Sequence, residues 1–181
     1  MKVSSDIQLF LDKESTKNFL KTVEKFIELI EAKNIPINEF YIEAHELLIE
    51  LYANGHKLEQ VDLKYADADT DFSKLDDEYF RNINQELIRT LGKDCFYHEV
   101  FDPTSTKNKT VQSVQGWLVD DFADIYRDLK IEIEKMKIGT NEALEDALWQ
   151  MKWGFINHWG NHCINALRYL HYLRYDGKTS I

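Results

Sequence analysis

Apolar positions recur three and four residues apart along most of this chain, with polar positions filling the gaps between them. Phe19, Leu20, Val23, Phe26, Ile27 and Ile30 form the first such stripe, with Ser15 placed to cap its helix. Pro36 punctuates. Phe40, Ala44, Leu47, Leu48 and Leu51 mark a second helix, expected to close near "ANG" with Gly55 as its C-cap. Residues 56–74 keep no sustained period and read as a loop or broken helix. A third helix runs from about Asp76 through Phe80, Ile83, Leu87, Ile88 and Leu91, and Gly92 stops it. "CFYHEVFDP" alternates poorly and ends in Asp-Pro, which predicts an extended connector before the polar loop "TSTKNKT". Val114, Leu118, Phe122, Ile125, Leu129 and Ile133 form the stripe of a long fourth helix that Gly139 breaks. The last helix runs from about Asn141 to Tyr175, roughly 50 Å at about 1.5 Å per residue. Gly154 and Gly160 leave open a kink or a division into two helices.

On a helical wheel, Trp149, Ile156, Trp159, Cys163, Leu167 and Leu170 make one apolar face of that last helix. Leu144, Met151, Phe155, Tyr169 and Leu173 make an adjacent one. A helix apolar over so much of its circumference is central. His158 and His162 fall in the second face, beside an amide strip of Asn157, Asn161 and Asn165 with Arg168. Buried imidazoles need partners for both ring nitrogens. The fourth helix offers Asp121 and Asp128 along one edge of its stripe, with Asp124 between them and further out. If the last two helices are antiparallel neighbours, an Asp row faces the His pair and both imidazoles are largely buried. Two readings follow. In one, a buried Asp/His network fixes helix register. In the other, His158 and His162 hold a divalent Zn, Fe or Mn ion with Asp121, Asp124 or Asp128. HxxxH carries little specificity by itself, and Trp159 stands where the glutamate of HExxH would be.

Composition narrows the class. Only 2 prolines and 7 glycines interrupt 181 residues, which favours long helices over a turn-rich β fold. Hydrophobic residues make up 44% and charged residues 30%, enough for one domain with a real core. The formal charge of -10, with lysines scattered among acids, disfavours nucleic acid. The two cysteines, Cys95 and Cys163, form no CxxC pair. No apolar run reaches membrane-span length, and no leader-like segment is read at the N-terminus. A cytoplasmic protein without a membrane role is the expectation.

Other candidates are weaker. "DADTDFSKLDDE" places Asp67, Asp69, Asp71 and Glu78 at calcium-loop positions, but Phe72 stands where that loop requires Gly, so an acidic loop is the expectation. His45 reads as a surface or half-buried residue, and His98 and Glu99 as solvated connector residues. Cys163 reads as a small core hydrophobe, and Trp149, Trp153 and Trp159 as core anchors. GxSxG, P-loop and GxGxxG motifs are absent, so no cofactor-binding residue is assigned.

"YHEVFDP" (97–103), followed by "LVDDFADIYRDLK" (118–130), and "ALWQMKWGFINHWGNHCINALRYLH" (147–171) together resemble the bacterial family catalogued as domain of unknown function 5063. The resemblance implies an all-helical, single-domain, cytoplasmic protein and no particular activity. Its motif positions here are Glu99, Asp102, Asp121, Asp124, Tyr126, Asp128, Trp149, His158, Trp159, Gly160 and His162. Phe122 departs from the family's expected Leu.

The sequence therefore predicts an all-α, single-domain bundle of about five helices over residues 1–181. Its C-terminal helix is long and central, and 1–14 and 176–181 are loose ends. Its first functional reading is a non-catalytic cytoplasmic binding or adaptor protein with a buried Asp/His network. Its partner is an unidentified protein or a second copy of the chain. The alternative is a metal-binding protein or metal-dependent enzyme using His158, His162, Asp121, Asp124 and Asp128. Glu99, Asp102, Tyr126, Trp149 and Trp159 are then candidates for a surrounding pocket or network.

Overall fold

The stripes become helices in the computed structural model, which describes residues 3–66, 77–100 and 113–176. Seven helices and one small sheet occur among these residues. In chain order they are α1 (Ser5–Asp12), α2 (Glu14–Glu31), α3 (Ile37–Lys57), α4 (Asp77–Leu91), β1 (Phe96–Glu99), β2 (Val114–Trp117), α5 (Leu118–Met136), α6 (Asn141–Asn157) and α7 (Trp159–Tyr175). A 3-10 turn over Gly92–Cys95 joins α4 to β1. Helix dominates as expected, but there are seven helices rather than five, and a sheet is present.

Each difference has a local cause. Ser15 lies inside α2, whose N-cap is Lys13. The N-terminal segment is not loose: α1 buries Ile7 against Val61, Leu144 and Leu148 in a satellite core. Gly55 is not a C-cap, because α3 continues to Lys57 and Gly55 is buried within it. A Cβ there would meet Trp159 Cη2 at 2.6 Å and Phe155 Cδ2 at 2.8 Å, so the missing side chain makes room for the last helices. Gly92 (φ 53°) and Gly139 (φ 73°) follow α4 and α5 in left-handed backbone, as chain breaks of this kind require.

The connector 96–99 pairs antiparallel with Val114–Trp117. Val114, read as helical, is therefore a strand residue, and α5 begins four residues later. Tyr97 sits opposite Gly116, and a side chain at 116 would run into the Tyr97 ring. The glycine lets the phenol lie across β2 and point toward α5.

The last predicted helix is two helices. His158 leaves helical backbone (φ -143°, ψ -88°) and separates α6 from α7. Both glycines are needed at this joint. A Cβ on Gly154 would meet Trp159 Cδ1 at 2.8 Å, and one on Gly160 would collide with the Phe155 carbonyl. The indole so seated is fully buried, and its Nε1–H donates to the Met151 carbonyl at 3.1 Å. The break also resets the helical phase. Ile156, placed with Trp159 on a continuous wheel, is 58% exposed, and Trp153 is exposed too.

The main core joins α2, α3, α4, α5 and α7 through Phe19, Phe26, Phe40, Phe80, Phe122 and Trp159. The buried Glu145 of α6 ties down the segment after α3. Its Oε2 accepts the backbone N–H groups of Lys64, Tyr65 and Ala66 at 2.8, 2.6 and 2.8 Å. Among the described residues no helix is long and apolar enough to cross a membrane.

Candidate metal centre

Helix α5 carries Asp120, Asp124 and Asp128 at intervals of four, so they rise along one face, with Asp121 beside them. The joint between α6 and α7 presents His158 and His162 to that face. His158 Nδ1 lies 2.7 Å from Asp128 Oδ2, and His162 Nδ1 lies 2.9 Å from Asp121 Oδ1. An ionised carboxylate only accepts, so each imidazole donates Nδ1–H and is left with Nε2. His162 Nε2 stands 3.4 Å from Asp124 Oδ2. The two rings meet edge to face with centroids 5.0 Å apart. One ligand-capable atom from each of Asp124, His158 and His162 lies within 4.8 Å of the other two.

A second tier supports this arrangement. The buried Tyr97 hydroxyl donates to Asp121 Oδ2 at 2.5 Å, and the Tyr97 ring stacks on Tyr169 of α7. Asp121 is thus held from β1 and from α7 at once, and it fixes the His162 ring. Burial opposes a charged His162. The hydrogen bond and charge of Asp121, followed by the charges of Asp124 and Asp120, outweigh it and raise the imidazole above its ordinary value. Asp120 is also raised, first by burial and then by the Asp124 charge, against the opposing pull of His162 and His158. Four carboxylates crowd two imidazoles, and the cluster is short of positive charge.

The expectation that both histidines are largely buried does not hold. The His158 side chain is 45% exposed and that of His162 20%. His158 is the joint residue itself, outside both helices, which brings its ring to the surface. The cluster runs from the buried Asp121 and Tyr97 outward to the exposed His158 ring.

The remaining candidates lie elsewhere. Glu99 is buried and pairs with Arg168 of α7, so it is not a solvated connector residue. Tyr126 donates to Glu31 at 2.6 Å and meets Tyr79 in a separate network with Lys130. Trp149 stacks on Trp153 beside the satellite core, while Trp159 supports the site from beneath through the α6–α7 joint. His45 is buried, not superficial, and its Nδ1 accepts from Arg174 at 2.9 Å. His98 is exposed on β1. Cys163 packs in the core with its Sγ 3.4 Å from the Leu48 carbonyl. Asp102 and the calcium-loop residues Asp67, Asp69 and Asp71 lie outside the described residues. Two participants escaped the sequence reading. Asp120 was one position off the apolar edge, though its i, i+4 relation to Asp124 was a usable signal. Tyr97 needed the strand pairing to be seen.

The family described as domain of unknown function (DUF5063) matches residues 11–176. A crystal structure of protein BF1032 from Bacteroides fragilis superposes with a TM-score of 0.79 at 21% identity. The match covers 95% of this chain and 99% of that one, and at this identity the likeness is one of fold. No curated protein matches the chain.

Proposed function

The chain belongs to that family, and we propose that it binds a divalent transition-metal ion through Asp124, His158 and His162. The observation that carries this reading is the convergence of three ligand atoms within 4.8 Å beside two imidazoles whose Nδ1 atoms are already engaged by carboxylates. Metal-ligating histidines characteristically donate their other ring nitrogen in this way, which fixes ring orientation and raises basicity. Two imidazoles and one carboxylate suit Zn, Fe or Mn. Three protein ligands leave coordination positions free, and the exposure of His158 gives them access to solvent.

The second reading is a metal-free binding or adaptor protein in which the Asp–His pairs only lock α5 to the α6–α7 joint. The pairing of Asp121 by Tyr97 and His162 favours it. Metal analysis of untagged protein, followed by calorimetric titration with Zn²⁺ and Mn²⁺, separates the two. The metal reading expects one ion per chain and loss of binding in His162→Asn and in Asp124→Asn. Asp121→Asn, which disturbs only the orienting carboxylate, should weaken affinity by about 10–100-fold. Absence of saturable binding leaves the second reading.

A further inference from the structure

The helices α2 and α3 form a hairpin, and a groove of about 410 Å³ opens to solvent between them. Leu29, Ala32, Ile35 and Leu47 make its floor, and Leu29, only 5% exposed, joins that floor to the main core. The groove extends along residues 25–32 on one side and 43–50 on the other. Each side is about two helical turns long.

The walls decide the charge of the occupant. Glu43, Glu46 and Glu50 follow one another at three- and four-residue spacing on α3, and α2 adds Glu28 and one cation, Lys25. The side chains of Glu28, Glu43, Glu50 and Lys25 make no hydrogen bond or ion pair with any described residue. Glu46 is 65% exposed and meets only Arg174 Nη2, at 3.9 Å. Like charges at this spacing repel along a helix, and Arg174 relieves them at one edge only. Four carboxylates against one ammonium exclude an anionic occupant. A second copy of the chain fits poorly as well. Its formal charge is -10, and a two-fold contact would set these same acidic walls against each other. The occupant that matches is apolar along one side and cationic along its edges. In a groove between two helices that describes a basic amphipathic helix, whose side chains at i, i+3, i+4 and i+7 share one face.

We propose that the α2–α3 groove docks a basic amphipathic helix of a partner protein, its apolar face on Ala32, Ile35 and Leu47 and its Lys or Arg side chains against Glu28, Glu43 and Glu50. The surface shares no residue with the proposed metal ligands and does not depend on the metal reading.

The probe is a fluorescein-labelled peptide of about 14 residues, long enough to begin forming a helix alone, with Leu at i, i+3, i+4 and i+7 and Lys and Ala elsewhere. One control peptide carries Glu for Lys, and another carries Ser for Leu. Anisotropy is read at about 0.15 M salt, which screens the general pull of an acidic protein beyond about 8 Å. The expected result is saturable one-to-one binding of the Leu/Lys peptide, binding weaker by about tenfold or more for the Ser peptide, and none for the Glu peptide. Glu43→Lys/Glu50→Lys should weaken binding by about tenfold or more, because like charges would then face each other. Asp62→Lys/Glu142→Lys makes the same change in net charge at exposed positions outside the groove and should bind as the parent does. Circular dichroism checks that each variant is folded. No saturable binding, equal binding of the Ser peptide, or equal weakening in the two double variants would each overturn the proposal. Light scattering that finds a dimeric parent and a monomeric Glu43→Lys/Glu50→Lys variant would assign the groove to a second copy and overturn it too.

Discussion

Gly160 lies so close to Phe155 that a Cβ at position 160 would strike the Phe155 carbonyl oxygen. This contact sets the angle at which α7 leaves α6, and therefore where the His158 and His162 rings stand relative to α5. The backbone cannot yield without moving the site. Gly160→Ala is expected to destabilise by about 1–3 kcal/mol, the usual cost of forcing a methyl group into filled space. It should also weaken divalent-metal binding. Denaturant titration and calorimetry on the same variant check both. A variant of unchanged stability would mean that the joint is softer than described.

Trp159 and Trp149 were alike in sequence, both on the presumed apolar face, but they differ in the fold. Trp159 is fully buried between Phe19, Phe155 and two glycines, while Trp149 is half-buried and stacks on an exposed partner. Trp159→Ala should cost about 3–5 kcal/mol, as large aromatic deletions in cores do. Trp149→Ala should cost clearly less. Equal losses in chemical denaturation would contradict this assignment.

Glu132 makes stability depend on pH. Its folded-state value is raised from 4.5 to about 8, chiefly by burial. Below 4.5 both states hold the proton. Between 4.5 and 8 the folded state keeps a proton that the unfolded chain has lost, so stability falls as pH rises. The slope reaches at most about 1.4 kcal/mol per pH unit. Above that window this contribution is flat. Glu132→Gln removes it and leaves Lys135 paired with Asp146. The difference in stability between variant and parent should therefore grow in favour of the variant from mildly acidic to mildly alkaline pH. Parallel pH profiles for the two proteins would show that Glu132 ionises normally.

The helical segments were legible because each buries one face, and the 3.6-residue period survives in Phe19–Ile30 and Leu118–Ile133 whatever the tertiary contacts. The sheet was not legible. Its strands are four residues long, lie 14 residues apart in sequence and are matched mainly by Gly116 receiving the Tyr97 ring. The α6–α7 break was signalled by Gly154 and Gly160, but its consequence was not. A wheel drawn through His158 carries a phase that the chain abandons there, so it misplaces Ile156 and buries His158, both of which are exposed. The pairing of the Asp row with the His pair could be anticipated, because helices joined by a short connection pack side by side and both sets carry four-residue spacing. Tyr97 and the Glu145 clasp join elements far apart in the chain, and no local pattern announces them.

The most direct test of the metal site is a thermal melt of untagged protein with and without a strong chelator, repeated after adding Zn²⁺ or Mn²⁺. An ion that binds only the folded state at about a hundred times its dissociation constant stabilises by about 2.7 kcal/mol. In a chain of this size that corresponds to a shift of roughly 5–10 °C. Chelation should lower the melting temperature by that order, and added metal should restore it. His162→Asn should melt at one temperature under all three conditions. A parent protein whose melting temperature is the same with chelator, with added Zn²⁺ and with added Mn²⁺ would contradict the account, leaving Asp121, Asp124, Asp128, His158 and His162 as a metal-free clasp between α5 and the α6–α7 joint.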